Sequence, residues 1–271
     1  MTRAKDKGIS LLNVLVVVAA GAGLVQVMVS DQESAVDHLS DQADISQAQA
    51  LAHAGVTSVA VALRRDMQTA PDTDHLSEPW SKALQDAITF DFGQYIVNAE
   101  DLRGRFDLNA LGPGKIVEQR VFAALLKQLD LPEALASTIA DQIAQDGTLA
   151  APSDLLARGI SAADYARLQS FVTALPTRHA LNLNTVSQPL LAALLANPIA
   201  AETLASRRRA KGFLDRDDFK ALGLTVPPMA GFTSDAFSTT VTASVAGARV
   251  RLSRQVLRDR DTGKVTISHS E

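Results

Sequence analysis

The side chains able to do chemistry are few and scattered. The five histidines, His38, His53, His75, His179 and His269, have no recognisable partner in sequence, and His38 and His53 are too far apart for metal ligands one helical turn apart. Gly-x-Ser-x-Gly, His-Glu-x-x-His and a phosphate-binding loop are all missing. The chain has no cysteine, which removes disulfides, thiolate metal sites and cysteine nucleophiles together. These residues predict a protein that is not an enzyme. Two charged clusters remain. Asp215, Asp217 and Asp218 read as a helix start on a solvated face; Arg207, Arg208 and Arg209 read as a solvated helix end or as a contact for an acidic partner surface.

A signal of another kind lies near the start. The stretch GISLLNVLVVVAAGAGLVQVMVS, residues 8–30, carries no formal charge, and within residues 9–29 the polar side chains are Ser10, Asn13 and Gln26. A helix of this length, rising about 1.5 Å per residue, covers roughly 30 Å of hydrocarbon. Arg3, Lys5 and Lys7 precede it against one acid, Asp6, and Asp31 and Glu33 follow. That bias keeps the N-terminus cytoplasmic and sends the rest of the chain across the membrane. A secretory signal peptide would have a shorter apolar region and a small-residue cleavage site, and no convincing site follows Met28. Gly8 stands between the basic leader and the apolar run, where a plain anchor has no need of a flexible residue. Its place reads as a cut site, with an ordinary single-pass anchor as the alternative.

The elements that must carry these residues follow from pattern. With 271 residues, 46% of them apolar, the chain can form one medium domain or two small ones. A net charge of −4 argues against nucleic-acid binding by bulk electrostatics. Val36, Leu39, Ala43, Ala50, Ala54 and Val61 recur near helical spacing, and no proline interrupts before Pro71. One helix is therefore expected from residue 9 to about 66, half in lipid and half laid on a soluble domain. After a linker at 71–74, residues 83–88 suit a short helical or extended edge, and 88–97 and 105–108 suit strands. The C-terminus reads as a meander of 237–245, 248–257 and 264–269, with turns at Ala246-Gly247 and Asp261-Thr262-Gly263.

The helical middle contains an internal echo. FDLN at 106–109 returns as LNLN at 181–184, AALL at 123–126 returns at 192–195, and LAS at 135–137 returns at 204–206. The repeat unit is expected to be strand, helix, helix and a short capped helix. Asn109 and Asn184 are expected to cap the helices that follow them. LGPG at 111–114 suggests a helix-hairpin-helix element, which in other proteins holds DNA phosphates on backbone amides.

Lys7-Gly8 followed by ISLLNVL resembles the leader of type IV prepilins and pseudopilins. DLRGRFDLNAL at 101–111, HALNLNTVS at 179–187, GFLDRDDFKALG at 212–223 and RVRLSRQV at 249–256 extend the likeness over the chain. Together they resemble the general secretion pathway protein K family, the large minor pseudopilins of the type II secretion system. This resemblance implies an α+β pilin-like fold: a cleaved leader at 1–8, a transmembrane part at 9–29, a first periplasmic part at 30–111, an inserted helical domain at 112–230 and closing strands at 231–271. It implies cleavage between Gly8 and Ile9 by prepilin peptidase, with methylation of Ile9, and it places Asn13 where most pilin-like proteins carry a glutamate. The implied role is to form or cap the pseudopilus tip with other minor pseudopilins, next to the major pseudopilin, in the inner membrane and periplasm, without nucleic acid. A minor pilin of a type IV or DNA-uptake pilus is the alternative. No cofactor is required by this reading, although family members can bind calcium in the insert. The corresponding acids here are Asp141 and Asp146, fewer than calcium's six to eight oxygens call for.

Overall fold

The computed structural model describes residues 5–82, 86–177 and 179–269, with side chains except at 5–12, 82 and 269. Helix α1, Lys5–Thr69, is 65 residues long and contains both Gly8 and Ile9. It outlasts the expected end near residue 66 by one turn and stops just before Pro71, because the residue ahead of a proline is driven out of the α region. Its apolar section from Asn13 is long and apolar enough to cross a membrane and is not buried within the protein. From Ala48 onward the helix changes character. Ala48, Ala52, Val56, Val59 and Leu63 are buried, three or four positions apart, with Leu51 beside them, so a single stripe faces inward.

After α2 (Pro79–Lys82) come strands β1 (Ile88–Phe90) and β2 (Gly93–Asp101). The single strand expected over 88–97 is thus a hairpin that turns at Asp91 and Phe92. The start of the expected edge, Ala83, lies outside the described residues. A helical body follows: β3 (Phe106–Asp107), α3 (Ile116–Gln128), α4 (Leu135–Asp146), α5 (Asp154–Ala157), α6 (Ala162–Leu168) and β4 (Val172–Thr173), then β5 (Leu181–Asn182), α7 (Gln188–Leu195), α8 (Pro198–Lys211), α9 (Arg216–Lys220) and β6 (Ala230–Gly231). The chain closes with β7 (Ala236–Val245), β8 (Ala248–Asp259) and β9 (Lys264–His269).

β1, β2, β7, β8 and β9 form one antiparallel sheet in that order, so the last three strands join the first two across the inserted body. The inward stripe of α1 packs on this sheet with Trp80, Tyr95, Val97, Phe237, Val241 and Val256. Gly55 makes the approach possible: a Cβ there would meet Val241 Cγ1 at 2.7 Å. The helical body has its own core, reaching from Phe106, Leu108 and Leu111 to Leu214 and Phe219, with Phe232 packed against it.

The echo in the sequence is a structural repeat. β3 pairs parallel with β4, and β5 pairs parallel with β6, so each half begins and ends on a short two-stranded ladder. The strand expected over 105–108 is shorter than expected. Asp101 accepts the Arg103 N–H and Asp107 accepts the Asn109 N–H, and each contact winds the next residues into a 3-10 turn.

Candidate functional site: a buried polar junction

The sheet, the end of α1 and the helical body meet on polar side chains. Asp101 ends β2 and is buried; its Oδ2 accepts from Asn182 Nδ2 at 2.8 Å, Ser234 Oγ at 2.5 Å and Thr185 Oγ1 at 2.6 Å. Asn182 also donates to the Asp74 carbonyl at 3.0 Å. The segments at Asn182–Thr185 and Ser234 are thereby tied to one carboxylate, and that at Asp74 is joined through Asn182. Burial raises the Asp101 carboxyl above its usual range, against the lowering effect of these hydrogen bonds.

Beside this knot, Arg258 on β8 is buried against the end of α1. Its Nε donates to the Ser234 carbonyl at 2.8 Å, its Nη1 to the Leu63 carbonyl at 3.2 Å and to Asp66 Oδ2 at 3.0 Å, and its Nη2 to Asp74. The guanidinium also lies 4.8 Å from the centre of the Phe237 ring. Arg260 reaches the other oxygen of Asp74. Arg103 makes a second anchor: Nε and Nη2 grip Asp235 at 2.5 and 3.2 Å, while Nη2 also donates to the Thr177 carbonyl at 2.9 Å. Gly104 allows the backbones to close up here, since a Cβ would stand 2.8 Å from the Thr185 carbonyl oxygen.

Asp66, Asp74 and Glu78 form the one group of three or more potential metal ligands among the described residues, with ligating atoms within 4.8 Å of one another. Arg258 and Arg260 already occupy both oxygens of Asp74, so guanidinium charge stands where a cation would. Three carboxyls then face two arginines. Burial first, then the Asp74 hydrogen bond and the charges of Glu78 and Asp74, push Asp66 up to about 7 despite Arg258.

Asp141 and Asp146, the expected calcium ligands, are both exposed on α4. Five positions on a helix point roughly 140° apart, so the two carboxylates do not converge, and among the described residues no third acid joins them. The pair does not fit a calcium site. Asn13 is exposed on the apolar N-terminal half of α1, remote from the junction. The side chain of Ile9 lies outside the described ones.

Asp215 does start a helix: it caps α9 with Asp218 in a reciprocal capping box. The arginine cluster is not a uniformly solvated end. Arg208 turns inward and donates to the carbonyls of Leu183 and Val186, both at 2.8 Å, while Arg209 pairs with Glu202 at 3.3 Å. His38 and His53 are exposed, His75 stacks on Phe213 at 5.1 Å, and His179 sits 3.3 Å from Asp235. The side chain of His269 lies outside the described ones.

The two echoed asparagines do not cap the following helices. Asn109 crosses 40 residues to exchange hydrogen bonds with both the N–H and the carbonyl of Leu149, and also donates to the Leu175 carbonyl. Asn184 accepts from Leu214 N–H at 2.6 Å, 30 residues away. The local turns are held instead by the residues two positions earlier, Asp107 and Asn182. Spacing alone could have shown that the echo extends to these positions.

This architecture can be compared with known proteins. The family described as type II secretion system protein K matches residues 181–246, the second half of the repeat and the return into the sheet. The type II secretion system protein K of Pseudomonas aeruginosa is 31% identical over 255 residues, covering 80% of this chain and 77% of that protein. The chain belongs to the type II secretion system protein K family. The Aeromonas hydrophila protein of the same name is 27% identical over 266 residues, covering 77% of this chain and 80% of its own length. A chain from the crystal structure of the GspK-GspI-GspJ complex of the enterotoxigenic Escherichia coli type 2 secretion system shares the fold, with a TM-score of 0.65 at 20% identity, covering 85% of this chain and 97% of that one. As a protein K, the chain is a minor pseudopilin with the expected α+β pilin-like fold. The family match favours secretion over the DNA-uptake alternative.

Proposed function

We propose that this protein K forms the tip of the pseudopilus with other minor pseudopilins, anchored in the inner membrane by residues 9–29 with its folded domain in the periplasm. The observation that carries this reading is the placement of the bulk. α1 meets the sheet from Ala48 onward, and the helical body is joined at the opposite end from the membrane half, where Arg258 holds the Leu63 carbonyl and Asp66. A subunit so enlarged at its far end would crowd a helical filament anywhere but its end. Asn13 fits the same place: its amide can hydrogen-bond between helices but cannot pair with a neighbour's amine as an anion.

In this reading prepilin peptidase removes residues 1–8 and methylates Ile9 before assembly onto the major pseudopilin. Intact-mass measurement of the protein purified from membranes tests the processing. A chain beginning at Ile9 with one added methyl is expected, and a chain that retains Gly8 would refute it. Co-purification with the other minor pseudopilins of the same secretion system tests the assembly.

A further inference from the structure

A pocket of about 280 Å³ lies on the seam between the two halves of the helical body, lined by Arg103, Phe106 and Asp107 from the start of the first half and by Leu181 and Met229 from the second. Arg103 is 1% exposed. Its Nε and Nη2 are held by Asp235 and Thr177, but Nη1 has no hydrogen-bond partner among the described residues, and Asp107 Oδ2 stands 3.8 Å away, beyond hydrogen-bond reach. A buried guanidinium nitrogen left in this state favours any acceptor that can reach it.

The first turn of α3 borders the same pocket through Lys115 and Glu118. The LGPG turn at 111–114 leads into this 13-residue helix, and no side chain caps its start. The backbone N–H groups of an uncapped first turn, at the positive end of the helix dipole, attract an anion. Lys115 adds a charge at the rim: its side chain is 43% exposed and its Nζ stands 4.0 Å from Glu118.

The remaining lining says which anion. Asp107 and Glu118 border the pocket too, and they repel a phosphate group, with its charge of roughly −1.5 to −2, more than they repel a single negative charge. Phe106, Leu181 and Met229 give the pocket apolar walls, which suit a carboxylate carried on an apolar stem. The volume is near the small end of ligand pockets, ~300–1,000 Å³, so one residue fits and a long segment does not.

We propose that this seam pocket binds a monocarboxylate on an apolar stem, the C-terminal residue of a polypeptide, with the carboxylate drawn to Arg103, Lys115 and the first turn of α3 and the side chain against Met229. The hairpin-like LGPG element thereby holds a carboxylate instead of a nucleic-acid phosphate.

The test is ligand-observed NMR titration of the full chain in detergent, with N-acetyl-leucine as the probe. N-acetyl-leucinamide removes the charge, inorganic phosphate removes the stem, and free leucine stands for a small-molecule source. Since Arg103 also holds Asp235 and Thr177, the variants spare it: Lys115→Glu reverses the rim charge, Ala110→Phe fills the pocket, and Lys127→Glu at the far end of α3 is the control. Thermal melting verifies that each is folded. N-acetyl-leucine is expected to bind, at least tenfold more tightly than the other three probes, and to lose tenfold or more in Lys115→Glu and Ala110→Phe but not in Lys127→Glu. Equal binding of N-acetyl-leucinamide or of phosphate would overturn the carboxylate assignment, and equal or tighter binding of free leucine would overturn the polypeptide source. No binding to the wild-type chain, or binding unchanged in folded Lys115→Glu, would overturn the site.

Discussion

Arg258 Nη1 lies 3.0 Å from Asp66 Oδ2, across 192 residues of sequence. One guanidinium thus joins strand β8, which forms after the inserted body, to the end of the helix that opens the chain. The same side chain also holds Asp74 and the Ser234 carbonyl, so one residue ties the return of the chain into the sheet to the end of α1.

Arg258→Leu should therefore be severe. It removes the counter-charge of a buried carboxylate cluster, and breaking a buried pair from one side costs about 3–5 kcal/mol. The denaturation midpoint of residues 31–271 should fall accordingly. A loss below about 1 kcal/mol, the size of an exposed pair, would show that the junction is not a stabilising element.

The cluster also gives stability a pH dependence with a definite sign. Asp66 has a folded pKa of about 7 against an ordinary 3.8. The native state keeps a proton that the unfolded chain gives up between those values, so stability from this group is full below about pH 4 and is lost as pH rises toward 7. Burial of Asp101 acts in the same direction. Asp66→Asn cannot ionise and should flatten the fall in stability between pH 5 and pH 8. An unchanged slope in urea titrations would show that the proton resides elsewhere.

The repeated asparagines should differ in weight although their positions match. Asn109 satisfies three backbone groups, whereas Asn184 satisfies Leu214 N–H and its Nδ2 has no hydrogen-bond partner among the described residues. Since each buried backbone group left unpaired costs about 1–3 kcal/mol, Asn109→Ala should destabilise more than Asn184→Ala. Equal losses in thermal melts would mean that the two halves are held in the same way.

Gly104→Ala tests the close approach at the junction. The added methyl would stand 2.8 Å from the Thr185 carbonyl oxygen, a backbone atom that cannot swing away. Overpacking of this kind costs about 1–3 kcal/mol. Hydrogen exchange should then rise first in the turns at Leu102–Gly104 and around Thr185; uniform protection would show that the backbone accommodates the methyl.

Much of the fold was legible because its signals are local. The apolar run of α1, the turn residues at 246–247 and 261–263 and the cap at Asp215 all act over a few neighbouring positions, the echo between the two halves is a repetition of such local patterns, and the structure has each of them. The errors came where a side chain serves a distant backbone. Asn109 looked like a local cap but reaches Leu149, and Arg208 looked solvated but reaches Leu183 and Val186.

The sequence by itself determined an N-terminal helix long and apolar enough to cross a membrane, a helical repeat set between strands, and the order of these elements, since hydrophobic period and turn chemistry are written residue by residue. Tertiary structure alone decided that Asp66, Asp74, Asp101, Asn182, Ser234 and Arg258 share one buried network. Those residues are dispersed over most of the chain. A charge or an aromatic ring acquires its partner only when the sheet closes over the insert, and no local pattern encodes that distance.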